Sequence, residues 1–273
     1  MTVINTNNAA LKAQLASKTV DKKLTESGQR LSSGKRINSG ADDAAGAAVA
    51  LKLDAQMQGQ KAAIKTASDA VSLLKLQEAG VSQFVSIIQR IRELSVQMAN
   101  GTFSNNDRSL AQLEVDALTT QFEMVASSTK FNNKAILNAS SSSTYQIQSG
   151  ANQDENFTIS VIEGATLSTN VTTDADVTSQ SNAQSTMYSM VTHLSTAEAH
   201  LATIGASINR LYVTISNLSA SSVNTEFAVG RISDTDFARE TANLAKQQIL
   251  SNSANKMLAI ANQSKKLLTT ILE

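Results

Sequence analysis

Residues 201–218, LATIGASINRLYVTISNL, carry the clearest repeating pattern in the chain. Large apolar residues recur there at spacings of three and four, the period of one face of an α-helix. Two heptad positions continue this seam to residue 232, which favours packing against another helix. Its members are Leu201, Ile204, Ile208, Leu211, Ile215, Leu218, Ser222, Thr225, Val229 and Ile232. A long helix that pairs with a second helix is therefore the first structural prediction.

A second long helix is predicted over residues 44–99. Asp42 and Asp43 precede it, and acidic residues at a helix start suit the positive end of the helix dipole. Asn100 and Gly101 end its apolar pattern. At 1.5 Å per residue this helix would be roughly 84 Å long. Such a length predicts a rod element instead of a helix in the core of a small globular domain.

Shorter helices are predicted around these two. The first covers residues 9–33 and ends at Gly34, and the last covers residues 234–272. Ser104 followed by Asp107 resembles a capping box, so a further helix is expected over 107–127. Between the helical arms, residues 139–186 are rich in Ser, Thr, Asn and Asp.

Two short stretches inside that polar region alternate apolar and polar residues, around Tyr145 and Ile147 and around Phe157 and Ile159. Alternation of this kind is typical of strands, and Gly150 lies between the two stretches, so a β-hairpin is predicted. A loose surface loop is the alternative. The predicted fold class is mainly α: a long antiparallel helical rod or coiled coil formed by the N- and C-terminal arms, with a small β-hairpin region in the middle, at about 139–187.

The composition excludes several kinds of protein. Lys plus Arg equals Asp plus Glu, 23 of each, so no basic face for nucleic acid or for a membrane surface is expected. The chain has no Pro, which favours long uninterrupted helices, and no Cys, which excludes disulfides and thiolate chemistry. Residues 1–8 do not resemble a signal peptide, which predicts a cytoplasmic protein or export without a cleaved signal.

The helical arms expose more apolar surface than one chain can cover. Even if the arms pair, the terminal helices would keep apolar stripes facing outward, and such stripes usually mark assembly surfaces. Contacts between copies that do not close into a ring produce a filament. The residues predicted to drive this polymerisation are Leu11, Leu15, Leu24, Leu31, Leu250, Met257, Leu258, Leu268 and Ile271.

No catalytic, cofactor or metal site is predicted. The glycines at 28 and 34 have the wrong spacing for a phosphate loop, and Arg36 stands where Ser or Thr should be. His193 and His200 are seven residues apart, whereas a zinc-protease helix needs a spacing of four. Neither nearby Asp pair, at 174 and 176 or at 234 and 236, has the Gly and Glu of a calcium loop.

Several strings identify a family resemblance over nearly the whole chain. LSSGKRINSGADDAAG at 31–46 closely resembles the N-terminal signature of bacterial flagellins. Further similar segments, in the same order as in the family, are QRIRELSVQ at 89–97, FNNKAIL at 131–137, IGA and NRL within 204–211, RISDTD at 231–236, and MLAIANQ at 257–263. Two features depart from the pattern: Ser264 stands near where the family often has Pro, and the chain ends in Leu272 and Glu273.

The resemblance implies a short flagellin without large outer domains. Residues 1–42 and 234–273 would form a terminal helical domain that lines the filament core. Residues 43–233 would form a helical rod domain. The protein would be a secreted, non-enzymatic subunit of the flagellar filament used for swimming. A hook–filament junction protein with similar terminal helices is the alternative, and an enzyme-bearing flagellin is a further one.

The resemblance also implies partners. These are other copies of the chain, the filament cap, the hook–filament junction protein, an export chaperone on the C-terminal helix, and the export apparatus. Toll-like receptor 5 recognises many flagellins through positions that match Arg90, Leu94, Gln97 and Glu114 here. These four residues are therefore a candidate receptor site, and they are equally expected to pack between neighbouring subunits.

Overall fold

The computed structural model describes residues 6–137, 144–160, 162 and 164–272. Long helices dominate this part of the chain, and two small antiparallel hairpins interrupt them. The elements in chain order are α1 Asn8–Ser33, α2 Ala44–Met98, α3 Asn105–Ser128, β1 Lys130–Phe131, β2 Lys134–Ala135, β3 Thr144–Gln148, β4 Asn156–Ser160, α4 Gly164–Asp174, α5 Gln180–Ser233 and α6 Phe237–Leu272. The mainly helical fold with a small hairpin region is confirmed.

The chain divides into two compact units. The terminal unit consists of Met1–Gln56 with Asn224–Glu273, and the central unit is Met57–Val223. The predicted domains of the assembled state, 1–42 with 234–273 and 43–233, are not tested by this division and stay a prediction.

The central unit is built around the pairing of α2 with α5, as the seam predicts. Gln60 on α2 donates a hydrogen bond to the Ser221 hydroxyl on α5 at 2.9 Å. Further along α2, Gln77 lines the same cavity as Ile204 of α5, so the two helices run in opposite directions. Every apolar seam residue of the central unit except Leu218 is buried in its core or packs against that core: Leu201, Ile204, Ile208, Leu211 and Ile215. Leu218 is partly buried.

The start of α3 and the end of α2 are held by polar side chains. The capping box is confirmed: the Ser104 hydroxyl accepts from the Asp107 N–H at 3.3 Å, and Asp107 accepts from the Ser104 N–H at 2.9 Å. Arg108 is buried, and its guanidinium donates to the carbonyls of Met98 and Asn100. The Met98 carbonyl lies at the end of α2, where helix carbonyls lack partners within the helix, and the Asn100 carbonyl also accepts from the Phe103 N–H. The Phe84 and Phe122 rings stack at 4.0 Å between the same helices.

The predicted hairpin is confirmed as β3 and β4, with Tyr145 opposite Ile159 and Ile147 opposite Phe157. Its apolar face packs on the central core. The β1–β2 hairpin is not among the predicted elements. There, Asn132 and Asn133 adopt positive φ angles of 48° and 64°, as a two-residue hairpin turn requires.

Helix α4 differs from the expectation of a polar, strand-like region up to residue 186. Its Thr and Ser residues form helices poorly in isolation. However, Leu167 and Val171 lie one turn apart and are both buried, so packing against the core stabilises the helix. The helix begins at Gly164, where a side chain has no room because a Cβ would collide with the Leu137 carbonyl oxygen. Helix α5 also begins earlier than expected, at Gln180.

Candidate assembly surfaces

The terminal helices α1 and α6 pack side by side in the terminal unit, joined by polar contacts along their length. The Asn7 side chain donates to the Ala261 carbonyl at 3.1 Å, and the Ser17 hydroxyl lies 3.4 Å from the Asn255 amide oxygen. The Ser251 hydroxyl donates to Asp21 at 3.0 Å. Because the partner numbers fall as the α1 numbers rise, the pair is antiparallel.

The terminal unit buries no apolar side chain among the residues that the structure describes. Its buried side chains are polar: Ser27, Thr225, Glu240 and Ser251. Every described apolar residue that is buried lies between Ala63 and Leu211, in the central unit. Over its described side chains, the pair of terminal helices therefore has no hydrophobic core of its own.

The residues predicted to drive polymerisation lie on this incompletely covered pair. Leu15 is 66% exposed and Met257 is 61% exposed, and Leu11 and Leu250 are exposed as well. Leu24, Leu31 and Leu258 are half-buried. The side chains of Leu268 and Ile271 lie outside the described residues. Fully burying one such side chain stabilises an assembly by about 1.5–3 kcal/mol.

Further exposed apolar residues lie outside the set that was predicted to drive polymerisation. Ile249 and Ile260 extend the exposed surface of α6. Leu51, Phe227 and Phe237 are exposed elsewhere in the terminal unit. Periodicity could not identify them, because a helix with apolar residues on more than one side gives no single stripe.

Arg36 joins the two connectors of the terminal unit: the first connector links α1 to α2, and the second links α5 to α6. Its backbone N–H donates to the Ser233 carbonyl at 2.7 Å, and its guanidinium donates to the Ile232 carbonyl at 2.6 Å. The guanidinium also lies 3.6 Å from Asp43, whose carboxylate accepts from the Gly46 N–H at the start of α2. Arg36 thus connects the end of α5 to the beginning of α2.

A further hydrogen bond between the two connectors lies next to Arg36. The Thr235 N–H donates to the Gly34 carbonyl at 3.0 Å, and Gly34 has a φ of 70°, which allows the chain to leave α1. Within the first connector, backbone N–H groups of Ser39 and Asn38 bind the Asp42 carboxylate and lower its pKa below the ordinary value. The motif at 31–46 therefore forms a hydrogen-bonded junction.

The candidate receptor residues lie on α2 and α3 in the central unit. The Arg90 guanidinium donates to Glu114 at 2.6 Å and to Glu93 at 3.2 Å, and the Glu114 contact is the main cause of a raised Arg90 pKa. Arg90, Glu114 and Gln97 are exposed. Leu94 differs from the other three because it is only 4% exposed and belongs to the core. It can support this surface from beneath but does not present a side chain to a partner.

The described residues contain no group of three or more His, Asp or Glu side chains arranged to hold a metal ion. None of their helices combines the length and hydropathy needed to cross a bilayer.

Long terminal helices with uncovered apolar side chains, joined by a hydrogen-bonded connector, define a helical protein suited to self-association. Comparison with known families agrees. Residues 4–142 match the bacterial flagellin N-terminal helical region, and residues 186–272 match the bacterial flagellin C-terminal helical region. The chain belongs to the bacterial flagellin family.

Individual relatives cover almost the full length. A flagellin of Listeria innocua is 32% identical over 98% of this chain and 99% of its own. The flagellar filament 33 kDa core protein of Treponema phagedenis is 31% identical over 99% of both chains. A solved structure from Vibrio parahaemolyticus, described as a candidate flagellar hook-associated protein, covers 71% of this chain and all of its own with a TM-score of 0.59. Its identity of 14% shows likeness of fold alone.

Proposed function

We propose that this protein is a structural subunit that self-assembles into the bacterial flagellar filament and thereby serves swimming motility. One observation carries the proposal: the terminal unit has exposed apolar side chains and, among the described residues, no buried ones. Full-length similarity to flagellins and filament core proteins supports the same role. The protein acts outside the cell and performs no catalysis.

Assembly follows from the uncovered terminal helices. Neighbouring copies cover the stripes that contain Leu15 and Met257, and removal of this apolar surface from water drives association. Residues 1–42 and 234–273 line the filament core, and residues 43–233 form the outer part. Because the contact between copies repeats without closing, the product is a filament that transmits torque to the surrounding fluid.

Before assembly the same surfaces need protection. The exposed apolar residues Ile249, Leu250, Met257 and Ile260 of α6 would be covered by an export chaperone until the chain enters the flagellar export apparatus. After export, the filament cap receives the chain, and the first subunits in the filament bind the hook–filament junction protein. No cleaved signal is needed on this route.

A second recognition role is proposed for the α2–α3 surface. Arg90, held between Glu93 and Glu114, presents a fixed charge pattern beside Gln97, with Leu94 packed beneath. Toll-like receptor 5 would bind this surface on the free subunit. In the filament, a neighbouring copy would cover it.

The polymerisation test compares two adjacent positions on α6. Met257→Gln removes an exposed apolar side chain, and Lys256→Gln changes its exposed polar neighbour as the control. Sedimentation and electron microscopy after salting out should show long filaments for the wild type and for Lys256→Gln. Met257→Gln should raise the critical concentration by about tenfold, the equivalent of about 1.4 kcal/mol per contact. Equal critical concentrations for all three proteins would contradict the proposal, and so would a failure of the wild type to grow filaments alone.

A further inference from the structure

The central unit contains an open cavity of about 620 Å³ that plays no part in the proposed assembly. Strand β4, helix α4 and helix α5 form its walls, and Leu74 and Gln77 of α2 contribute to its floor. This volume lies within the range of roughly 300–1,000 Å³ that small-molecule sites occupy. The cavity can therefore hold a molecule of about the size of a monosaccharide or disaccharide.

Small polar side chains make up much of the cavity lining. They include Thr158 and Ser160 on β4, Thr166 and Asn170 on α4, and Thr196 and Ser207 on α5. A hydroxyl group both donates and accepts hydrogen bonds, and an amide does the same through different atoms. Thr196 already donates to the Thr192 carbonyl, so its oxygen remains able to accept from a ligand. A wall of this composition matches a ligand with several hydroxyl groups.

The lining contains three basic side chains, His193, His200 and Arg210, and neighbours inside the central unit fix Arg210 and His193 in place. The Arg210 guanidinium lies 4.9 Å from the centre of the Phe157 ring, a cation–π contact that leaves its N–H groups able to donate. His193 is nearly buried, and its Nε2 lies 2.8 Å from the Asp174 carboxylate, which orients the ring. Among the described residues the lining includes no carboxylate. Because His193 already pairs with Asp174, the Arg210 guanidinium supplies the positive charge that a ligand with a carboxylate group would complement.

We propose that this cavity binds a small hydroxylated carboxylate of the sugar-acid class. The carboxylate is held by Arg210, and the hydroxyls are held by side chains of β4, α4 and α5, among them Thr196. Because Arg210 and His193 are positioned by their own partners, little ordering is needed when the ligand enters. The proposal concerns the central unit alone and does not depend on filament formation.

The test uses the full chain in monomeric form and D-glucuronate as the probe. Titration followed by ligand-detected NMR and by backbone amide shifts should give saturable binding with a dissociation constant on the order of 1 mM. The shifts should concentrate in residues 193–210. D-glucose has the same ring without the carboxylate, and it should bind at least about tenfold more weakly, the usual effect of losing a hydrogen bond to a charged group.

Variants locate the site. Arg210→Gln should weaken glucuronate binding about tenfold, and Arg210→Lys should retain more of it because the charge remains. Thr196→Val should weaken binding about fivefold through loss of one neutral hydrogen-bond partner. The matched control is Thr214→Val on the same helix: Thr214 also donates to the carbonyl four residues earlier, at the same 3.0 Å, but does not line the cavity.

A variant is taken as folded if its thermal unfolding midpoint is close to that of the wild type. If Arg210→Gln is not folded, Arg210→Lys and Thr196→Val are sufficient for the test. The proposal is overturned by any of three results: no saturable binding at tens of millimolar, equal binding of glucose, or equal weakening by Thr196→Val and Thr214→Val. Filament growth is measured separately, so failure of the cavity and failure of the assembly proposal give different readouts.

Discussion

The central unit and the terminal unit are both built from long paired helices, but they bury different kinds of residue. In the central unit, α2, α3, α5 and the hairpins cover a continuous apolar core that includes the stacked rings of Phe84 and Phe122. In the terminal unit, the described side chains that are buried are polar, and leucines such as Leu15 remain exposed. Similar helical patterns therefore give a self-sufficient core in one place and an incomplete one in the other.

The difference follows from the number of elements available to cover each helix. A helix with an apolar stripe needs partners around that stripe, and the central unit supplies a third helix and two hairpins. In the terminal unit, α1 and α6 have mainly each other. Their outward faces keep apolar side chains such as Leu15 exposed, and burial of these side chains between copies is the physical basis of the proposed assembly.

The largest expected effect comes from removing one partner of the terminal pair. Deletion of residues 236–273 should abolish filament growth, because α1 then loses α6 and the assembly surface on it. The central unit should keep its cooperative unfolding, since its core lies entirely within Met57–Val223. Electron microscopy and circular dichroism measure the two outcomes. Filaments of normal length from the truncated chain would contradict the division of roles.

Two alanine substitutions, one in each unit, compare how much a large apolar side chain contributes to the free energy of unfolding. Phe122→Ala should lower the free energy of unfolding of the monomer by about 3–5 kcal/mol, because it opens a cavity beside Phe84. Leu15→Ala should change it by less than about 0.5 kcal/mol, as expected for an exposed side chain. Urea unfolding of the monomer provides the measurement. Equal losses would mean that the terminal pair has a core after all.

The connector offers a smaller effect. Arg36→Ala removes the guanidinium contacts with Ile232 and Asp43 but keeps the backbone hydrogen bond to Ser233. We expect a critical concentration for polymerisation about three- to tenfold higher, in line with the loss of about 1 kcal/mol from one exposed hydrogen bond to a charged group. Arg92→Ala, an exposed arginine of the central unit, serves as the control. An unchanged critical concentration for Arg36→Ala would show that the side-chain contacts of Arg36 do not contribute to assembly.

The smallest expected effect is on the pH dependence of the free energy of unfolding of the central unit. The Thr178 hydroxyl, together with the Thr178 N–H and the Asn182 amide, holds the pKa of Asp176 below its ordinary value of 3.8. A depressed pKa stabilises the fold at pH values above 3.8, and this contribution is lost as the pH falls through the folded-state value. Asp176→Asn should therefore be less stable than the wild type at neutral pH. Urea unfolding at several pH values should show the difference shrinking below 3.8, and a constant difference would contradict the assignment.

Much of the fold was predictable because its signals are local. The three-and-four spacing of 201–218 predicted a long helix that packs against another helix. Ser104 with Asp107 predicted the start of α3, and alternation around Ile147 predicted the β3–β4 hairpin. Helix α4 was not predictable in this way. Its Thr-rich sequence disfavours a helix locally, and the burial of Leu167 and Val171 that stabilises it depends on distant parts of the chain.

The candidate surfaces were predictable only in part. Periodicity indicates that one side of a helix is apolar, but it does not say whether the same chain covers that side. Leu15 and Leu211 both belong to predicted helical apolar patterns, yet Leu15 is exposed and Leu211 is buried. The cavity beside Arg210 brings together residues of α2, β4, α4 and α5 that are far apart in the sequence, so no motif could indicate it.

The polar contacts between α1 and α6 have a mechanical consequence. Leucine and alanine side chains can repack after a helix slides along its neighbour, so apolar contacts alone resist sliding weakly. The Asn7–Ala261, Ser17–Asn255 and Asp21–Ser251 contacts lie at successive points along the pair. Slippage by one helical turn, about 5.4 Å, would break all of them together. These polar side chains add little to the free energy of helix pairing, but they fix the register of α1 and α6 when the pair is pulled.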